Sequence, residues 1–405
     1  MVISKQELPV VPTPRYAHIV GWGMAVPDLI LTNQQLEAIV ETNDDWIQAR
    51  TGIKERRVAG ERESTAGLGL KAARKALEVA DIQPNEIDLI IVATSTPENI
   101  FPSTASLIQN WLGATRAGAF DLSAACSGFV YGMDMAAQSI RSGSIRVAVV
   151  IGAETMTRVL DWQDRSTCIL FGDGAGAVVL KASDIEGGVL SAVLRSDGSG
   201  GDLLGIPTVG SEDLYNPDFS NNGHKMHKMH MNGGEVFKFA TRVIKESIEQ
   251  ALDKANLSIE DLSLIVPHQA NMRIIQAAAR SLKVEPELFV TNLDRYANTS
   301  AASIPIALCE AIETNRVHPN EYIAFIGFGG GLTWASMVIQ WTGSHISDTR
   351  TVPFINQQRR QISYLLVRLK SEARRLSRRL TSFVDRIRPG RGQIVRLRDK
   401  ADRLE

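Results

Sequence analysis

A cysteine lies among small residues in the segment Asp121–Tyr131, DLSAACSGFVY, directly before a stretch that we predict to be helical from Gly128 to Arg141. A cysteine at a helix N-terminus faces unpaired backbone N–H groups and the positive end of the helix dipole, and both favour a thiolate. The thiolate is the nucleophilic form of cysteine. Cys126 is therefore a candidate nucleophile, and the alternative is an inert buried cysteine, the commoner state of this residue.

Two polar residues in the second half of the chain could complete a site with this cysteine. His268, in VPHQAN, follows an apolar run that predicts a strand, and functional residues of α/β sheets collect at the carboxyl ends of strands. Asn298 lies in YANTSAASIP, a small-residue segment like the one around Cys126. Each has a structural alternative, because His268 could be a hydrogen-bonded core histidine and Asn298 could cap the helix that follows.

Glycines follow a predicted strand in GFGGGLTW, at Gly329, Gly330 and Gly331. Such a loop lets backbone N–H groups approach a ligand closely. Together with the N–H of Cys126, these glycines could form an oxyanion hole. The segment GDGAG at 172–176 is a weaker signal of the same kind.

Three histidines recur at every third position in GHKMHKMHMNG, namely His224, His227 and His230. On a helix this spacing would align them along one face and suggest a metal site. No carboxylate or cysteine stands with them, however, and the surrounding glycines and asparagine indicate a loop. We therefore predict no metal site.

The elements that must position these residues alternate between apolar runs and helical stretches, which is the pattern of an α/β protein. Continuous apolar runs of this kind fit strands that are buried on both faces. The predicted strands cover residues 17–23, 89–94, 146–152, 265–267 and 322–327.

The second half of the chain repeats the first at an offset of 175 residues. ALEVADIQPNEIDLIIV at 76–92 resembles ALDKANLSIEDLSLIVP at 251–267, and RVAVVIG at 146–152 aligns with EYIAFIG at 321–327. Two units that share one offset predict duplicated α/β halves related by a pseudo-twofold axis. A site at the seam could then draw groups from both halves.

The same offset relates the candidate site residues to positions in the other half. Cys126 falls on Ala301, Asn298 falls on Ser123, and His268 falls on the strand end at Ala93. The predicted organisation is a flexible arm at 1–14, an N-terminal half at 15–187, a C-terminal half at 188–343 and a basic extension at 344–405.

The composition is that of an ordinary soluble enzyme, with 44% hydrophobic and 22% charged residues among 405. No apolar run approaches the roughly 20 residues that a membrane-spanning helix needs. The N-terminus lacks an apolar signal core, so a cytoplasmic location is expected. Three cysteines, Cys126, Cys168 and Cys309, are too few and too scattered for a disulfide framework or a zinc site.

The C-terminal extension differs in charge from the rest of the chain. From Ser344 onward it holds 16 Lys or Arg and 6 Asp or Glu, a net charge of +10, whereas the body has 28 and 39, a net charge of −11. Apolar residues there recur at alternating spacings of four and three, which predicts a single stripe along a helix over 354–388. The stripe consists of Ile362, Leu366, Leu369, Ala373, Leu376, Leu380, Phe383 and Ile387.

Such a helix is not stable alone in water, so its stripe needs a partner. The candidates are a second copy in a coiled coil, the enzyme body, and an anionic membrane surface. The density of like charge opposes close helix pairing, whereas a basic face suits anionic lipid or an acidic protein. A disordered tail is the alternative. We predict peripheral attachment to an anionic surface, and no nucleic-acid partner is expected.

Eight segments together resemble 3-oxoacyl-[acyl-carrier-protein] synthase III, a family of thiolase-like condensing enzymes. They are DWIQARTGI, FPSTASLIQ, AACSGF, FGDGAGAVVL, GGEVFKFA, VPHQANMRII, YANTSAAS and GFGGGLTW, and they follow the order of the family over residues 17–341. The resemblance implies a five-layered α/β fold of two duplicated halves, and residues 345–405 have no counterpart in it.

The activity that the resemblance implies is a ping-pong Claisen condensation that starts fatty acid synthesis. Cys126 would accept an acyl group from acyl-CoA. His268 and Asn298 would bind the carbonyl of malonyl-acyl carrier protein and stabilise its enolate as CO₂ leaves. Two neutral donors aimed at a developing oxyanion lower the barrier without a metal, so no cofactor is expected.

The resemblance also assigns binding residues. Trp46 and Arg165 would sandwich the adenine of CoA, and Arg50 would contact a phosphate. The path to the sulfur would be lined by Thr51, Phe237, Ala270 and Asn271, and Phe328 would line the acyl pocket. Phe101 would cross the interface of a homodimer to close the acyl pocket of the partner. Carrier protein would dock on Lys238, Arg273 and Arg280. One departure from the family pattern is Gly234, where some relatives carry a polar residue.

Three other functions are weighed against this one. A related condensing enzyme could act in a secondary pathway or on two CoA thioesters. A papain-like hydrolase uses Cys, His and Asn in the same order, but its cysteine signature is absent and the duplicated halves have no role in it. A non-catalytic binding protein is the third alternative. Pocket depth depends on dimer packing, so the sequence leaves the starter acyl group open.

Overall fold

The computed structural model describes residues 15–207, 225–343 and 354–387. The strands are β1 (Tyr16–Ala25), β2 (Ile30–Thr32), β3 (Glu55–Arg57), β4 (Leu89–Ala93), β5 (Gly118–Leu122), β6 (Val147–Thr155), β7 (Asp173–Ser183), β8 (Gly188–Ser196), β9 (Leu204–Gly205), β10 (His230–Met231), β11 (Leu262–Pro267), β12 (Glu321–Gly329) and β13 (Thr333–Trp341). The helices are α1 (Asn33–Leu36), α2 (Asp44–Thr51), α3 (Thr65–Ala80), α4 (Thr104–Leu112), α5 (Gly128–Arg141), α6 (Arg165–Cys168), α7 (Gly233–Ala255), α8 (Met272–Leu282), α9 (Leu293–Tyr296), α10 (Ser303–Glu313) and α11 (Phe354–Ile387).

Two sheets form the centre of the fold. The first has the strand order β1-β7-β6-β4-β5, and the second has the order β8-β13-β12-β11. In the first, β4 pairs in parallel with β5 and β6, and β7 pairs antiparallel with β6 and β1. In the second, β11 and β12 are parallel, and β13 is antiparallel to β12 and β8. All five strands predicted from the apolar runs are confirmed.

Helices separate and cover the sheets. Helices α5 and α10 lie between the two sheets and contact strands of both. On the outer face of the first sheet, α3 and α4 pack against its strands. On the outer face of the second, α7 packs on β8, β12 and β13, with α8 beside it. The result is the predicted five-layered α/β arrangement.

The structure repeats at the offset that the sequence shows. Helix α3 ends at Ala80 and α7 ends at Ala255, and each is followed by a left-handed residue, with φ of 52° and 55° respectively. The strands β8, β13, β12 and β11 take the places of β1, β7, β6 and β4. Within the described residues the second sheet lacks a strand equivalent to β5.

The glycine-rich segment 172–176 does not form the ligand loop that its composition suggested. It leads into β7, which packs against α10. A Cβ atom at Gly176 would lie 2.6 Å from Cβ of Pro305, and one at Gly174 would lie 2.8 Å from Cδ1 of Ile306. These glycines therefore allow a helix of the central layer to lie close to the sheet.

The C-terminal extension forms the predicted helix as α11, which begins at Phe354 and ends at Ile387. The predicted arm at 1–14, residues 344–353 of the extension and the residues after 387 lie outside the described residues. Among the helices that are described, none is long and apolar enough to cross a membrane.

Candidate active site

Cys126 lies in a tight turn that joins β5 to α5. The turn is a short 3-10 helix, Ala125–Ser127, and Ala125 has a left-handed φ of 45°. The cysteine is 6% exposed. A Cβ atom at Gly329 would lie 3.2 Å from Cys126 Sγ and 2.9 Å from its backbone N, so only glycine leaves the sulfur and this N–H open on that side.

The surroundings of Cys126 keep it as a thiol. Burial raises the pKa of Cys126 to about 12, and its hydrogen bond to Ser300 only partly offsets this effect. Burial therefore opposes the thiolate that a position before a helix favours.

A buried carboxylate lies at the end of the only hydrogen-bond path described for this thiol. Cys126 Sγ donates to Ser300 Oγ at 3.6 Å, and Ser300 Oγ donates to Glu154 Oε1 at 3.0 Å. Glu154 is fully buried and also accepts from Ser95 N and from the hydroxyls of Thr94 and Thr96. Burial raises the pKa of Glu154, which makes it a stronger base than an exposed glutamate.

His268 immediately follows β11 and is held on one side. Its Nδ1 lies 2.6 Å from Ser303 Oγ, and its backbone N–H donates to the carbonyl of Ile326 at 2.7 Å. The ring meets Phe328 edge to face at a centroid distance of 5.1 Å. Burial lowers the pKa of His268 to about 3, so the imidazole is neutral at physiological pH. Its Nε2 is the atom left to act on a ligand.

Asn298 is oriented by the turn that follows it. Its side-chain oxygen accepts a hydrogen bond from Ser300 N at 2.8 Å. This bond places the two Nδ2 hydrogens on the opposite side of the amide. Helix α10 begins only at Ser303, without a side-chain cap. Asn298 therefore tightens the turn before α10 with its oxygen and keeps its donors for another partner.

One cavity of about 1350 Å³ brings these residues together. Most of the residues proposed from the sequence line it, and these are Trp46, Arg50, Thr51, Cys126, Phe237, Lys238, His268, Ala270, Asn271, Arg273, Asn298, Phe328, Gly329, Gly330 and Gly331. The cavity wall combines the carboxyl ends of strands from both halves of the chain.

At one end of this cavity an indole stacks against two guanidinium groups. The guanidinium carbons of Arg50 and Arg165 each lie 4.6 Å from the ring centre of Trp46. Arg165 also donates to the carbonyl of Glu41 at 3.1 Å. Asn271 Nδ2 donates to the carbonyl of Arg50 at 3.1 Å, which ties α2 to the start of α8. Cationic groups and a large aromatic ring thus meet here.

Three of the proposed residues do not line the cavity of their own chain. Arg165 contacts Trp46, which does line it, whereas the other two are farther away. Phe101 is 85% exposed, and Arg280 is exposed on α8, two turns from Arg273. The structure of one chain therefore does not test their proposed roles toward a partner subunit or a carrier protein.

The histidine repeat does not form a helical metal face. His224 lies outside the described residues, His227 is in a turn with a φ of 57°, and His230 begins β10. In the part of the chain that the structure describes, no cluster of histidine, cysteine or carboxylate side chains could hold a metal ion.

Sequence reasoning missed Glu154, Ser300 and Ser303. Glu154 had a usable signal, because it is a charged residue near the carboxyl end of a buried strand, where functional groups collect. Ser300 and Ser303 are small polar residues in a small-residue segment. Only their contacts with Cys126 and His268 distinguish them from ordinary turn serines.

Comparison with known proteins identifies the family of this chain. The profile of 3-oxoacyl-[acyl-carrier-protein (ACP)] synthase III matches residues 120–198, and the profile of its C-terminal part matches residues 252–341. The beta-ketoacyl-[acyl-carrier-protein] synthase III of Roseiflexus sp. (strain RS-1) is 52% identical over 327 residues, which cover 81% of this chain and 99% of that protein.

Solved structures give the same result. The crystal structure of 3-oxoacyl-[acyl-carrier-protein] synthase III from Aquifex aeolicus VF5 is 45% identical, with a TM-score of 0.74, over 80% of this chain and 99% of that one. The priming beta-ketosynthase of the R1128 polyketide biosynthetic pathway is 35% identical, with a TM-score of 0.75, over 82% and 97%. The chain therefore belongs to the 3-oxoacyl-[acyl-carrier-protein] synthase III family, as its motifs predict.

Proposed function

We propose that this protein condenses an acyl-CoA with malonyl-acyl carrier protein, releasing CoA and CO₂ and giving the 3-oxoacyl-carrier protein that starts fatty acid synthesis. The observation that carries the proposal is the meeting of Cys126, His268 and Asn298 on the wall of one cavity. A nucleophile and two neutral donors are what a decarboxylative condensation requires of a protein.

The first half-reaction acylates the cysteine. Sγ of Cys126 attacks the thioester carbonyl of the acyl-CoA, and the C–S bond to CoA breaks. As the thiol proton moves to Ser300 Oγ, the Ser300 hydroxyl proton moves to Glu154, along the 3.6 Å and 3.0 Å contacts. The CoA sulfur takes up one proton from water as it departs, and the proton on Glu154 returns through Ser300 to the Cys126 sulfur when that sulfur is released in the second half-reaction. The N–H of Cys126 and the glycine loop support the oxyanion, since Gly329 leaves that N–H open.

The second half-reaction uses the donors of the C-terminal half. With Ser303 donating to Nδ1, the proton of the His268 ring is on Nε2, and Nδ2 of Asn298 is its companion donor. Both donate to the carbonyl oxygen of the malonyl thioester, which becomes an enolate as CO₂ leaves. The carbanion then attacks the acyl carbon on Cys126, and the C–S bond breaks to release the 3-oxoacyl product.

Binding of CoA requires the stacked groups at the end of the cavity to separate. Two van der Waals contacts of about 3.5 Å on either side of an adenine add to about 7 Å between Trp46 and Arg165. The guanidinium carbon is 4.6 Å from the ring centre, so Arg165 has to move before adenine can lie between them. Arg50, which stacks with the same indole, would then meet a phosphate.

The carrier protein would bind on basic residues near this end of the cavity. Lys238 and Arg273 line it, Arg273 lies 5.6 Å over the ring of Phe237, and Arg280 continues the same face of α8. Lys238 is paired with Glu235 at 2.8 Å, so a carrier carboxylate would compete with that glutamate.

The proposal extends to assembly and location. A homodimer would give Phe101, which is 85% exposed beside the 71% exposed Ile100, a place in the acyl pocket of the partner subunit. A cytoplasmic enzyme with an anionic surface as the partner of its basic extension fits the charge distribution of the chain.

A second candidate is a condensing enzyme of a secondary pathway, or one with a CoA-bound acceptor. The similarity to a priming beta-ketosynthase of polyketide biosynthesis favours considering it, because the same fold serves both roles. We prefer the carrier-linked acceptor of primary fatty acid synthesis, because the relatives with the higher identities are named beta-ketoacyl- or 3-oxoacyl-[acyl-carrier-protein] synthase III.

The test is a two-step assay on the purified full chain. A panel of straight and branched acyl-CoAs is added, and intact-mass spectrometry records acylation, with peptide mapping to Cys126. Malonyl-acyl carrier protein or malonyl-CoA is then supplied, and CO₂ and product are measured. We expect condensation with the carrier-linked acceptor. Equal turnover with malonyl-CoA would favour the second candidate, and absence of acylation by every acyl-CoA would refute both.

A further inference from the structure

Helix α11 is attached to the enzyme body by one of its faces. Arg360, 2% exposed, forms an ion pair with Asp81 at 2.6 Å, and Asn356 Nδ2 donates to the same carboxylate at 2.8 Å. Tyr364 is buried, with the guanidinium of Arg74 4.4 Å from its ring centre. A buried charge that is paired and a buried aromatic ring are the features of a built contact rather than of a loose tail.

The contact continues for one further turn and then ends. A Cβ atom at Gly113 would lie 2.5 Å from Cγ2 of Val367, so this valine packs directly on the glycine that ends α4. Arg374 and Arg378, which follow on the same side of the helix as Tyr364 and Val367, are exposed, as are Leu369, Leu376 and Leu380 at 53%, 60% and 55%. Residues 356–367 of α11 are therefore the anchor, and the helix extends beyond them.

The apolar stripe lies on the face of α11 opposite the anchor. At 3.6 residues per turn, Arg360 and Tyr364 are about 160–200° around the helix from Ile362 and Leu380. Ile362, Leu365 and Leu366 are 56%, 57% and 49% exposed although they lie within the anchored turns. The enzyme body is thus not the partner of the stripe, and one of the three partners expected from the sequence is excluded for these residues.

The net charge of α11 distinguishes between the two remaining partners of the stripe, a second copy of the chain and a membrane surface. Residues 354–387 carry nine Lys or Arg and two Asp or Glu, a net charge of +7. A second copy would bring two such helices together, which like charge opposes. By helical position, Arg359 and Lys370 border one side of the stripe, and Arg374 lies farther round on the same side. An exposed apolar stripe with cations beside it matches a bilayer surface, where the apolar side chains enter and the cations meet headgroups.

The place where α11 is attached to the enzyme is compatible with a membrane as the partner of the stripe. Helix α3 begins near the cavity, where the Thr65 hydroxyl donates to the carbonyl of Thr96, a residue of the cavity wall. It runs 16 residues to the end where Asp81 holds α11. At a rise of 1.5 Å per residue this is about 24 Å. A bilayer on the stripe would therefore contact the enzyme at the end of α3 remote from the cavity.

We propose that α11 is a peripheral membrane anchor, fixed to the enzyme through Arg360 and Tyr364, whose outward stripe inserts into the interface of an anionic bilayer. The proposed function gave the extension an anionic surface as its partner, and this inference specifies that the surface is lipid. The stripe supplies apolar area and the flanking cations supply attraction. Binding should accordingly require both and should weaken with salt.

The test is sedimentation of the full-length protein with vesicles of phosphatidylglycerol and phosphatidylcholine, and with vesicles of phosphatidylcholine alone. We expect binding to the anionic vesicles that falls about tenfold or more between low salt and about 0.5 M salt. The triple variant Leu369→Glu/Leu376→Glu/Leu380→Glu should lose it, and Arg359→Gln/Lys370→Gln/Arg374→Gln should weaken it. Matched controls on the body are Ile185→Glu, also an exposed apolar residue, and Lys181→Gln/Lys283→Gln, which should both bind like wild type.

Three outcomes would overturn the proposal. The first is failure of the wild-type chain to bind anionic vesicles at low salt. The second is unchanged binding by the stripe variant. The third is self-association in the ultracentrifuge that the stripe variant abolishes without any lipid dependence, which would assign the stripe to a second copy. Condensation with soluble substrates and a melting curve are recorded for every variant. They separate loss of anchoring from misfolding and from failure of the proposed catalytic function.

Discussion

The turn that carries Cys126 and the turn that carries Ala301 have the same backbone and different chemistry. Both are three-residue 3-10 helices, at 125–127 and 300–302, and the residue that opens each has a left-handed φ of 45° and 49° respectively. A central helix follows each turn, at Gly128 and Ser303. Only the first turn has a thiol.

The side chains near the second turn supply what the first half lacks. His268 and Asn298 occupy the positions of Ala93 and Ser123, so donors replace an apolar and a small residue. The duplicated backbone brings equivalent strand ends from the two halves to one cavity, and the side chains at these ends differ in chemistry. In the proposed function the first half holds the nucleophile and the second half holds the groups that stabilise charge.

The largest expected effect comes from moving the thiol between the two turns. Cys126→Ala should abolish acylation, because no other described cysteine lines the cavity. Adding Ala301→Cys to that variant should not restore it, since the glycine that leaves Cys126 open is Gly329, while the carbonyl of Ala301 faces Gly152 at close range. Intact-mass spectrometry with acyl-CoA is the measurement. Acylation of the double variant at more than a few per cent of the wild-type rate would show that the turns are equivalent.

A smaller effect is expected from removing the donors of the second half. His268→Ala and Asn298→Ala should keep acylation of Cys126 near the wild-type rate and reduce condensation about 100- to 1000-fold each, the usual loss for one oxyanion donor. Because burial lowers the pKa of His268 to about 3, the imidazole stays neutral between pH 5 and 8. The condensation rate of the wild-type enzyme should then show no histidine titration near pH 6.5.

Single-turnover condensation from the preformed acyl-enzyme separates the two steps. A variant that condenses at the wild-type rate, or one that loses acylation to the same extent, would contradict the division between the halves. A pH profile with an ascending limb near pH 6.5 would show that His268 acts as a titrating base.

The sequence predicted the parts of this arrangement that depend on pattern. Continuous apolar runs such as 146–152 predicted strands buried on both faces, and the 175-residue offset aligned the Asn298 segment with the Cys126 segment and His268 with the strand end at Ala93. The motif resemblance then added their roles. The amphipathic period likewise predicted α11 to within a residue at each end.

What the sequence did not predict depends on contacts between distant residues. Glu154 and Ser300 are 146 positions apart, and no local pattern joins them. Burial opposes the thiolate favoured at Cys126, and burial is a property of the whole cavity wall. Periodicity defined the stripe of α11, but whether Tyr364 or Leu366 faces the body depends on the glycine at the end of α4 and on Asp81.

The smallest expected effect tests Ser300, whose side chain connects the thiol to the buried carboxylate. Ser300 belongs to the second turn, accepts from the thiol of the first, and donates to Glu154. Its hydrogen bond lowers the pKa of Cys126 against the larger effect of burial, so its loss should raise that pKa further. Ser300→Ala should therefore slow acylation about tenfold at pH 7, the loss of a proton relay being at the low end for general-base catalysis. It should also shift the pH profile of Cys126 alkylation by iodoacetamide to higher pH.

Ser247→Ala, which also removes a buried hydroxyl paired with another serine, is the matched control and should leave this profile unchanged. If Ser300→Ala lowers the rate at every pH without moving the profile, the serine only shapes the turn and the thiol proton leaves by another route.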